Sequence, residues 1–486
     1  MSTDTGNVNS EDKKDVHGMS AKRGTATAQP GGVPPAARGW RCLIAALSAL
    51  SVTAVLMAAG VAPASAQTFP VNDTSDAPDA NLADGKCAST NQTSTHPSCT
   101  LRSAMWEAQL VTPAIIDLPP GVFRLTIPPG SEATGPSNVF AGDLDVFNGT
   151  DIRINGAGVD ATFIDGGNTN RIFDVEAHGT LTLRNLTLEN GKADFDGATG
   201  HSHGGAIHNH GTLTLSRVAV TNSTATSSTH IWGGGAITNA PGATATLSEV
   251  TVAGNSTDAQ GGGIENKGTL SMIYTTITDN TAPGPFCRRP GLAPCLVHFG
   301  ARGGGLWLEA GSKTFLADTI VAGNGGGNDC AGPGQVTSTG GNLQGDGSCP
   351  FNDPTDQKGD PLFLVGASGP PRYWPLLPNS PAVDVPTTAL CLPGMVDIRN
   401  RPRPQDGNGD GVVLCDSGSY ELEAGGVPML SISNARVPEA SGATRSCASP
   451  SRCRPHPSAP SSGPTPRPAT GPPARASTAS PKSLGQ

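Results

Sequence analysis

The sequence predicts an all-β fold: a right-handed parallel β-helix (solenoid) with a short N-terminal capping helix and a disordered C-terminal tail. Three observations support this prediction. One pattern recurs five times between residues 179 and 324, with apolar and polar residues alternating after a small-residue turn and before an asparagine. A glycine pair precedes the last four copies, and Ile207, Ile237 and Ile264 follow it at spacings of 30 and 27 residues. No helical pattern of about 10–12 residues separates the copies.

Alternation with a period of two predicts short strands with one face inward. A single coil cannot bury its own apolar row, whereas coils stacked about 4.8 Å apart join their rows into one column. Each coil is predicted to hold two strands, one after the glycine pair and one of the Thr-Leu-Thr-Leu type. The asparagines that close the repeats are predicted to form a hydrogen-bonded ladder at a coil corner, with a row of ligands as the alternative: Asn190, Asn222, Asn255, Asn280 and Asn324.

Residues 1–66 are predicted to be a signal peptide with an extended basic n-region. An apolar run over 43–61 leads to Ala64-Ser65-Ala66, a small-residue cleavage signal before Gln67. A retained membrane anchor is the alternative. The protein is therefore expected to be secreted or at the cell surface, including association with an outer membrane. No later apolar run is long enough to cross a bilayer, so no transmembrane segment is expected in the mature chain.

Composition and charge argue against a nucleic-acid partner and favour an extracellular protein with a repetitive β core. The chain has 64 Gly and 4% aromatic residues, which suits a thin, repetitive β core. It carries 31 basic and 40 acidic residues, of which 18 and 35 lie within 67–425. This acidic body repels nucleic acid and fits an extracellular surface with cation sites. No nucleic-acid partner is expected.

Eight cysteines lie between residues 87 and 415, and export together with an even count favours disulfides. The sequence does not fix the connectivity. Pairing between neighbours along the chain is the working hypothesis, and free buried thiols are the alternative for any one pair. The pairs are Cys87 with Cys99, Cys287 with Cys295, Cys330 with Cys349, and Cys391 with Cys415. The second pair lies in an insertion over 283–299, which is predicted to be a stapled loop.

A short amphipathic helix is predicted near residue 100. Leu101, Ala104, Met105 and Ala108 have the spacing of one apolar helix face. The first coil of a β-helix is open and exposes unpaired backbone, which such a helix would cover. Residues 67–112 are therefore interpreted as an N-terminal cap, with a partner-binding helix as the alternative.

Two terminal motifs resemble a known family. The run from Cys99 to Ala104 follows an Asp-rich segment and resembles the CSLREA motif of secreted bacterial β-helix proteins. Thr100 and Ser103 stand where that family has Ser and Glu, which removes a local partner for Arg102. The glycine repeats are similar to those of polymorphic outer-membrane proteins. The resemblance covers roughly 69–423 and implies a secreted parallel β-helix. The β-helix with its C-terminal closing segment is assigned to 113–425.

The block from 340 to 421 resembles the closing segment of the same family, often called choice-of-anchor Q. Ser417 replaces an apolar residue of that pattern, so the final strand is expected to pack less well. Residues 426–486 are rich in Pro, Ser and Arg and are predicted to be disordered. Their start, 427–437, resembles the opening strand of a Calx-β-type domain, which suggests a truncated or frameshifted end.

Two groups of residues are candidate metal ligands. Asp406, Asn408 and Asp410 alternate with glycines as at the start of an EF-hand-type calcium loop, and Asp416 is the nearest later acid. The alternative is a solvated turn. No other cofactor is predicted. Histidines at strand spacing predict a transition-metal site, with ordinary polar loop residues as the alternative: His201, His203, His208 and His210.

The sequence favours a non-catalytic role in adhesion or in binding an extracellular glycan or protein. No catalytic motif is present, so no catalytic residue is assigned. A carbohydrate-active enzyme, either a polysaccharide lyase or a hydrolase, is the alternative because the fold hosts such enzymes; a passive envelope component is a third. The acids near the regular coils are Asp143, Asp145, Asp165 and Asp174. An acid pair with a nearby base in one groove would favour the enzyme, and a smooth Asn/Thr/Ser face would favour binding.

Overall fold

The computed structural model describes residues 65–93, 97–128, 142–194, 203–226, 233–282, 302–364, 372–386, 391–423 and 425, with two short strands beyond them. Most of the predicted signal peptide lies outside these ranges. The same is true of His201, of Cys287 and Cys295 with their predicted loop, and of most of the 426–486 tail. The two short strands, Arg436–Pro438 and Thr444–Ser446, pair antiparallel.

The largest sheet, sheet A, has 15 strands that pair in parallel from coil to coil. Equivalent repeat positions are in register: Leu181 pairs with Leu213, and Leu213 pairs with Ala245. The strands are Gln67–Pro70, Ala114–Asp117, Gly121–Arg124, Asp151–Asn155, Thr162–Asp165, Thr180–Glu189, Thr212–Thr221, Thr244–Ala253, Thr269–Ile273, Thr276–Thr278, Lys313–Ala317, Ile320–Val321, Gln335–Ser338, Leu343–Gln344 and Gln357–Lys358. The predicted parallel β-helix is confirmed.

Two further parallel sheets complete the coils. Sheet B has seven strands: Leu144–Val146, Phe173–Val175, Ile207–Asn209, Ile237–Asn239, Ile264–Asn266, Leu306–Leu308 and Cys330–Ala331. Sheet C has three strands: Lys192–Asp194, Thr224–Thr226 and Ser256–Thr257. The prediction of two strands per repeat missed sheet C, because strands of two or three residues are too short to show alternation.

The long strands of sheet A bend in the middle without ending. Leu183 and Leu186 are both fully buried although they are three positions apart, so the inward parity changes between them. Asn185 lies there with φ 55°, and Arg217 and Glu249 repeat this left-handed conformation in the next two coils, with φ 53° and 51°. A single left-handed residue turns the strand in the manner of a bulge, so both halves direct apolar side chains into the core.

The glycine pairs fit two backbone demands. Gly234 has φ +84°, a conformation that favours glycine. A Cβ on Gly235 would lie 2.0 Å from the carbonyl oxygen of Gly262 in the next coil, so only glycine permits this stacking distance.

Asparagines form a ladder at one corner, but over fewer coils than predicted. Asn255 donates from Nδ2 to Asn280 Oδ1 at 2.9 Å, and Asn280 donates in the same way to Asn324 at 3.0 Å. Asn190 and Asn222 instead take left-handed backbone conformations, with φ 55° and 52°. They lie one position earlier in the coil, so they do not extend the ladder.

A second ladder follows sheet B. Asn209 donates to Asn239 Oδ1 at 2.8 Å, and Asn239 donates to Asn266 Oδ1 at 2.9 Å. Asn266 ends the series on Thr314 Oγ1 at 3.0 Å. These side chains are fully buried, so each ladder satisfies polar groups inside the solenoid.

The predicted N-terminal helix is present as Leu101–Ala108, and its predicted apolar face is buried. Thr100 and Ser103 form a reciprocal capping box, so Ser103 provides the contact expected of a glutamate at that position. Arg102 obtains a partner elsewhere, since its Nε lies 2.6 Å from Asp76 Oδ1.

The segment after residue 372 packs along the side of the solenoid. Ser419 N donates to Thr276 Oγ1 at 3.0 Å, and the Arg372 guanidinium lies 4.4 Å from the ring centre of Phe163. Ser417 is 1% exposed, and its hydroxyl donates to the carbonyl of Gly341. The final strand expected around Ser417 is not formed in the structure, and the buried hydroxyl of Ser417 is hydrogen-bonded. We call residues 372–423 the closing block. Met395–Val396 pairs antiparallel with Pro402–Arg403 in it.

Three predicted disulfides are present: Cys87–Cys99, Cys330–Cys349 and Cys391–Cys415. Neighbour pairing is thus confirmed for these six cysteines. Within the described ranges, the structure contains no helix with the length and apolar character needed to cross a bilayer.

Candidate functional site

The outward face of sheet B carries one line of polar and aromatic side chains, one from the middle of each of its six three-residue strands. Strand register places them side by side in this order: Asp145, Asp174, His208, Thr238, Glu265 and Trp307. We call this line the charged column. Since successive side chains of a strand alternate, the residues on either side of each member point inward. Leu144 and Val146, for example, are 2% and 0% exposed.

Only part of the charged column is accessible. Thr238 and Glu265 are 1% and 0% exposed, so the middle of the column is covered. The side chain of Asp174 retains 22% exposure, and His210 beside it is exposed. The partly open end is the candidate functional site, and we call it the acid–histidine site: Asp143, Asp145, Arg171, Asp174, His208 and His210.

Arg171 joins the two sides of this site. Its Nε lies 2.7 Å from Asp143 Oδ2, and its Nη2 lies 2.7 Å from Asp174 Oδ2. Nη1 also donates to the carbonyl of His203 at 3.3 Å. The side chain of Arg171 is 12% exposed, so these charge-assisted bonds are shielded from solvent and hold both carboxylates in place.

The histidines pack next to Asp174. The Nδ1 atom of His208 lies 3.5 Å from Asp174 Oδ2. The ring of His208 stacks on His203, with 4.9 Å between centroids, and meets His210 edge-on at 4.1 Å. Three imidazoles therefore extend from the carboxylates in one contiguous group.

The covered part of the column has its own ion pair. Lys267 Nζ lies 3.1 Å from Glu265 Oε2, and Gly233 N donates to the same oxygen at 3.3 Å. Burial raises the pKa of Glu265, and Lys267 opposes that rise. Trp307, which is partly exposed, donates from its indole nitrogen to Glu309 Oε2 at 3.1 Å.

The neighbouring acids Asp145 and Asp174 have opposite pKa shifts. Burial raises the pKa of Asp145 to about 8, and the negative charges of Asp143 and Asp174 add to the rise. Burial also disfavours ionisation of Asp174, but Arg171 and then His208 outweigh it and hold the pKa of Asp174 below its ordinary value. At neutral pH one carboxyl group of the pair is therefore protonated and the other ionised.

The remaining groups of the site have definite charge states as well. Burial lowers the pKa of His208 to about 4, although Asp174 opposes this, so the imidazole is neutral at physiological pH. Burial disfavours the charged form of Arg171, but Asp174 and Asp143 raise its pKa above the ordinary value. Arg171 is thus a permanent cation and cannot serve as a base.

Part of the predicted histidine metal set lies at this site. The ligand atoms of Asp174, His208 and His210 lie within 4.8 Å of one another, which is a two-histidine, one-carboxylate set. His203 stacks on His208 but lies outside that group, and His201 lies outside the described residues. Arg171 already occupies Asp174 Oδ2, so a cation there would have to displace or share that contact.

The predicted calcium loop is elsewhere, in the closing block. Carboxylate oxygens of Asp406 and Asp410 lie within 4.8 Å of each other and of Asp384, which the sequence did not suggest. Asn408 belongs to the same loop and accepts from Asp410 N at 2.9 Å. Both Asp416 oxygens accept backbone N–H groups, from Asp384 at 3.0 Å and from Leu422 at 2.6 Å.

A smooth polar face is also present, on the outside of sheet A. Thr212 pairs with Thr244, and Thr214 pairs with Thr246 two positions along. Three of these four side chains are exposed. The two features that favour binding and catalysis respectively thus occur in one molecule, on different sheets.

Arg171 of the site was not anticipated from sequence, and neither were Glu265, Lys267 and Trp307 farther along the same face. A usable signal existed in the repeated triplet with isoleucine first and asparagine last, as in Ile207-His208-Asn209. The middle residue of such a triplet must point outward, so reading that position down the repeats reveals three members of the charged column: His208, Thr238 and Glu265.

Comparison with known proteins identifies no family. No family model and no curated protein matches the chain. Among solved structures, the pectate lyase Pel9A is similar over 75% of this chain and 98% of its own, with 12% identity and a TM-score of 0.33.

Proposed function

We propose that this is an exported, cell-surface or secreted protein that binds an extracellular carbohydrate at the acid–histidine site. The observation that carries the proposal is the close set of a neutral carboxylic acid, a carboxylate and imidazoles on adjacent strands, with Asp174 and His210 accessible. These groups supply both hydrogen-bond donors and acceptors, as the hydroxyl groups of a sugar require. Three described disulfides fit an oxidising compartment.

The site is well suited to a sugar because its polar groups are held in place before binding. Asp143 and Asp174 are fixed by Arg171, and parallel strands set the spacing between neighbouring members at about 4.8 Å. Preorganised groups lose little conformational entropy when a ligand binds. A mobile array of the same residues would bind more weakly.

The test compares two exposed histidines, one in the site and one outside it. We expect the full chain to be retained on one class of immobilised polysaccharide, and His210→Asn to weaken retention at least about tenfold, since about 1.4 kcal/mol corresponds to that factor. His178→Asn is the matched control, because His178 is exposed, lies outside the site and has φ 63°, which Asn tolerates. Equal loss in both variants, or no retention on any polysaccharide, contradicts the proposal.

A second candidate, hydrolysis of the bound carbohydrate, is favoured by the opposite pKa shifts of Asp145 and Asp174. A protonated acid beside an ionised one is the arrangement that glycoside hydrolysis uses. Asp145 would protonate the leaving oxygen, and Asp174 would act as base or nucleophile. Elimination by a lyase is less suited, because Arg171 is ion-paired with two carboxylates that raise its pKa.

Hydrolysis is tested by release of reducing ends between pH 5 and 10. Turnover should fall as pH rises through about 8, because Asp145 then loses the proton that an acid catalyst needs. Asp145→Asn should abolish turnover while the glycan is still retained. Asp117→Asn, an exposed position on sheet A, serves as control. Absence of reducing ends with every polysaccharide eliminates hydrolysis and leaves binding in place.

A further inference from the structure

We propose a calcium-binding site in the closing block, formed by Asp384, Asp406 and Asp410. The carboxylate of Asp384 would connect the buried segment 382–385 to the loop 406–411 through the bound cation. This site lies outside the acid–histidine site, and the proposal does not depend on carbohydrate binding.

The decisive observation is a buried oxygen without a partner. Asp384 is 9% exposed, and its Oδ2 has no hydrogen-bond partner among the described residues. A buried carboxylate oxygen without a donor is costly, and a bound water or cation is one way in which such an atom is satisfied. Asp384 offers a carboxylate oxygen within 4.8 Å of those from Asp406 and Asp410, so the three carboxylates converge on one position.

The charges around this position also lack compensation. Each carboxylate contributes a negative charge, and no ion pair links Asp384, Asp406 or Asp410 to a lysine or arginine within the described part of the chain. Calcium takes six to eight oxygen ligands in flexible geometry and accepts carboxylates in this way. Magnesium requires near-ideal octahedral geometry and retains water, so it is a poorer match to side chains from two segments.

The loop holds its carboxylates ready for a cation. Asp406 accepts from Gly409 N at 2.7 Å and from Gly411 N at 3.0 Å, one bond on each oxygen. Asp410 Oδ1 accepts from Val412 N at 2.8 Å. Each carboxylate oxygen has a second lone pair, so these bonds orient the side chains and still leave capacity for a cation. Asn408 places a further amide in the same loop.

Asp416 acts through Asp384 and does not serve as a ligand in this proposal. Its Oδ1 accepts from Asp384 N at 3.0 Å, and Leu414 N donates to Asp384 Oδ1 at 3.2 Å. The disulfide Cys391–Cys415 ties the same region covalently. Asp416 is therefore a positioning residue that fixes the backbone of the buried ligand.

Isothermal titration of the full chain with calcium chloride, after chelator treatment, tests the site directly. We expect binding with a dissociation constant of about 0.1–1 mM, the range of extracellular calcium modules, and at least about tenfold weaker binding of magnesium. Asp384→Asn keeps the Oδ1 acceptor for Leu414 N and should weaken calcium binding at least tenfold. Asp410→Asn, an exposed position in the loop, should do the same if Asp384→Asn does not fold.

Thermal melting with and without calcium distinguishes a calcium ligand at Asp384 from a residue that only stabilises the fold. Without calcium, Asp384→Asn should melt at or above the temperature of the unmodified protein, because it removes a buried, unpaired charge. With 10 mM calcium the order should reverse, since the unmodified protein binds calcium more tightly and gains more stability than Asp384→Asn, by about 2 °C or more. Asp360→Asn, an exposed acid outside the cluster, should follow the unmodified protein in both conditions. No calcium binding at 10 mM, or unchanged binding in both cluster variants, overturns the proposal.

Discussion

Arg171 is the residue on which the charges of the acid–histidine site depend. It contacts Asp143 and Asp174 at 2.7 Å each, so both acids share one buried cation. Asp145, on the adjacent strand, receives no such contact from Arg171 in the described structure, and burial dominates its titration. Two chemically identical side chains on neighbouring strands thus have different protonation states because only one of them reaches the guanidinium.

This difference predicts how stability depends on pH. The folded protein keeps the Asp145 proton up to about pH 8, whereas the unfolded chain releases it near pH 4, so stability falls as pH rises between these values. Asp145→Asn should reduce this slope by up to about 1.4 kcal/mol per pH unit between pH 6.5 and 8. His208 contributes little in that window. Its pKa is about 4 in the folded protein and about 6.5 in the unfolded chain, so its effect on stability falls between these pH values.

Urea unfolding at a series of pH values measures the slope. Asp117→Asn should retain the slope of the unmodified protein, since Asp117 is exposed on sheet A. A slope for Asp145→Asn equal to that of the unmodified protein would show that Asp145 is ionised in the folded state at neutral pH.

Sequence reasoning found some members of the site and missed others for a physical reason. His208, His210 and the acids stood out because several occur close together. Arg171 did not, since nothing local in its segment indicates that it bridges two coils. Glu265 was missed for the same reason. It joins the charged column only because coil stacking brings residues about 30 positions apart into register, as it does for Thr238 and Glu265.

The asparagine ladders join neighbouring coils through hydrogen bonds between their side chains. Asn280 is the centre of the corner ladder. It donates to the carbonyls of Val252 at 2.8 Å and Thr278 at 2.9 Å, and it accepts from Asn255. One side chain thus satisfies polar groups in two adjacent coils.

Asn280→Ala should therefore cost about 2–4 kcal/mol of unfolding free energy, because several buried groups lose their partner together. Chemical denaturation measures the loss. Asn352→Ala is the control, since Asn352 is exposed, and it should change stability by less than about 0.5 kcal/mol. A cost below 1 kcal/mol for Asn280→Ala would mean that water replaces the lost bonds.

The repeat pattern predicted sheets A and B but located the ladders only in part. Asn255, Asn280 and Asn324 were identified correctly, whereas Asn190 and Asn222 lie one position out of register. An asparagine suits a left-handed turn and a ladder equally well, so residue type alone does not distinguish them. The buried ladder of Asn209, Asn239 and Asn266 was missed because those residues lie at the ends of three-residue strands.

At the scale of the whole molecule, the closing block binds together coils that are far apart in sequence. Arg403 is fully buried at its centre. Its Nε lies 3.5 Å from Glu421 Oε2, its guanidinium lies 4.4 Å from the ring centre of Tyr274, and Nη2 donates to Gly418 O at 3.1 Å. The block and the solenoid therefore share one buried cation.

Arg403→Met alone should cost about 3–5 kcal/mol, because the buried groups that it contacts, Glu421 and the carbonyls of Asp416 and Gly418, lose their partner together. The double variant Arg403→Met with Glu421→Gln should cost less than the single one, since it removes both partners. Urea denaturation of both variants measures the difference. If the double variant is less stable than the single one, the prediction is wrong, and Glu421 stabilises the fold through contacts other than the one with Arg403.

The lateral position of the closing block also sets an order of assembly. A solenoid grows by adding each coil to the one before it, so its first coils can form as soon as they have been synthesised. The closing block is synthesised after every coil that it contacts, from Phe163 to Gly341. Its docking surface is complete only when those coils have formed. The closing block would therefore lock the fold after the coils have formed, and a chain interrupted before residue 372 would leave that flank open to proteolysis.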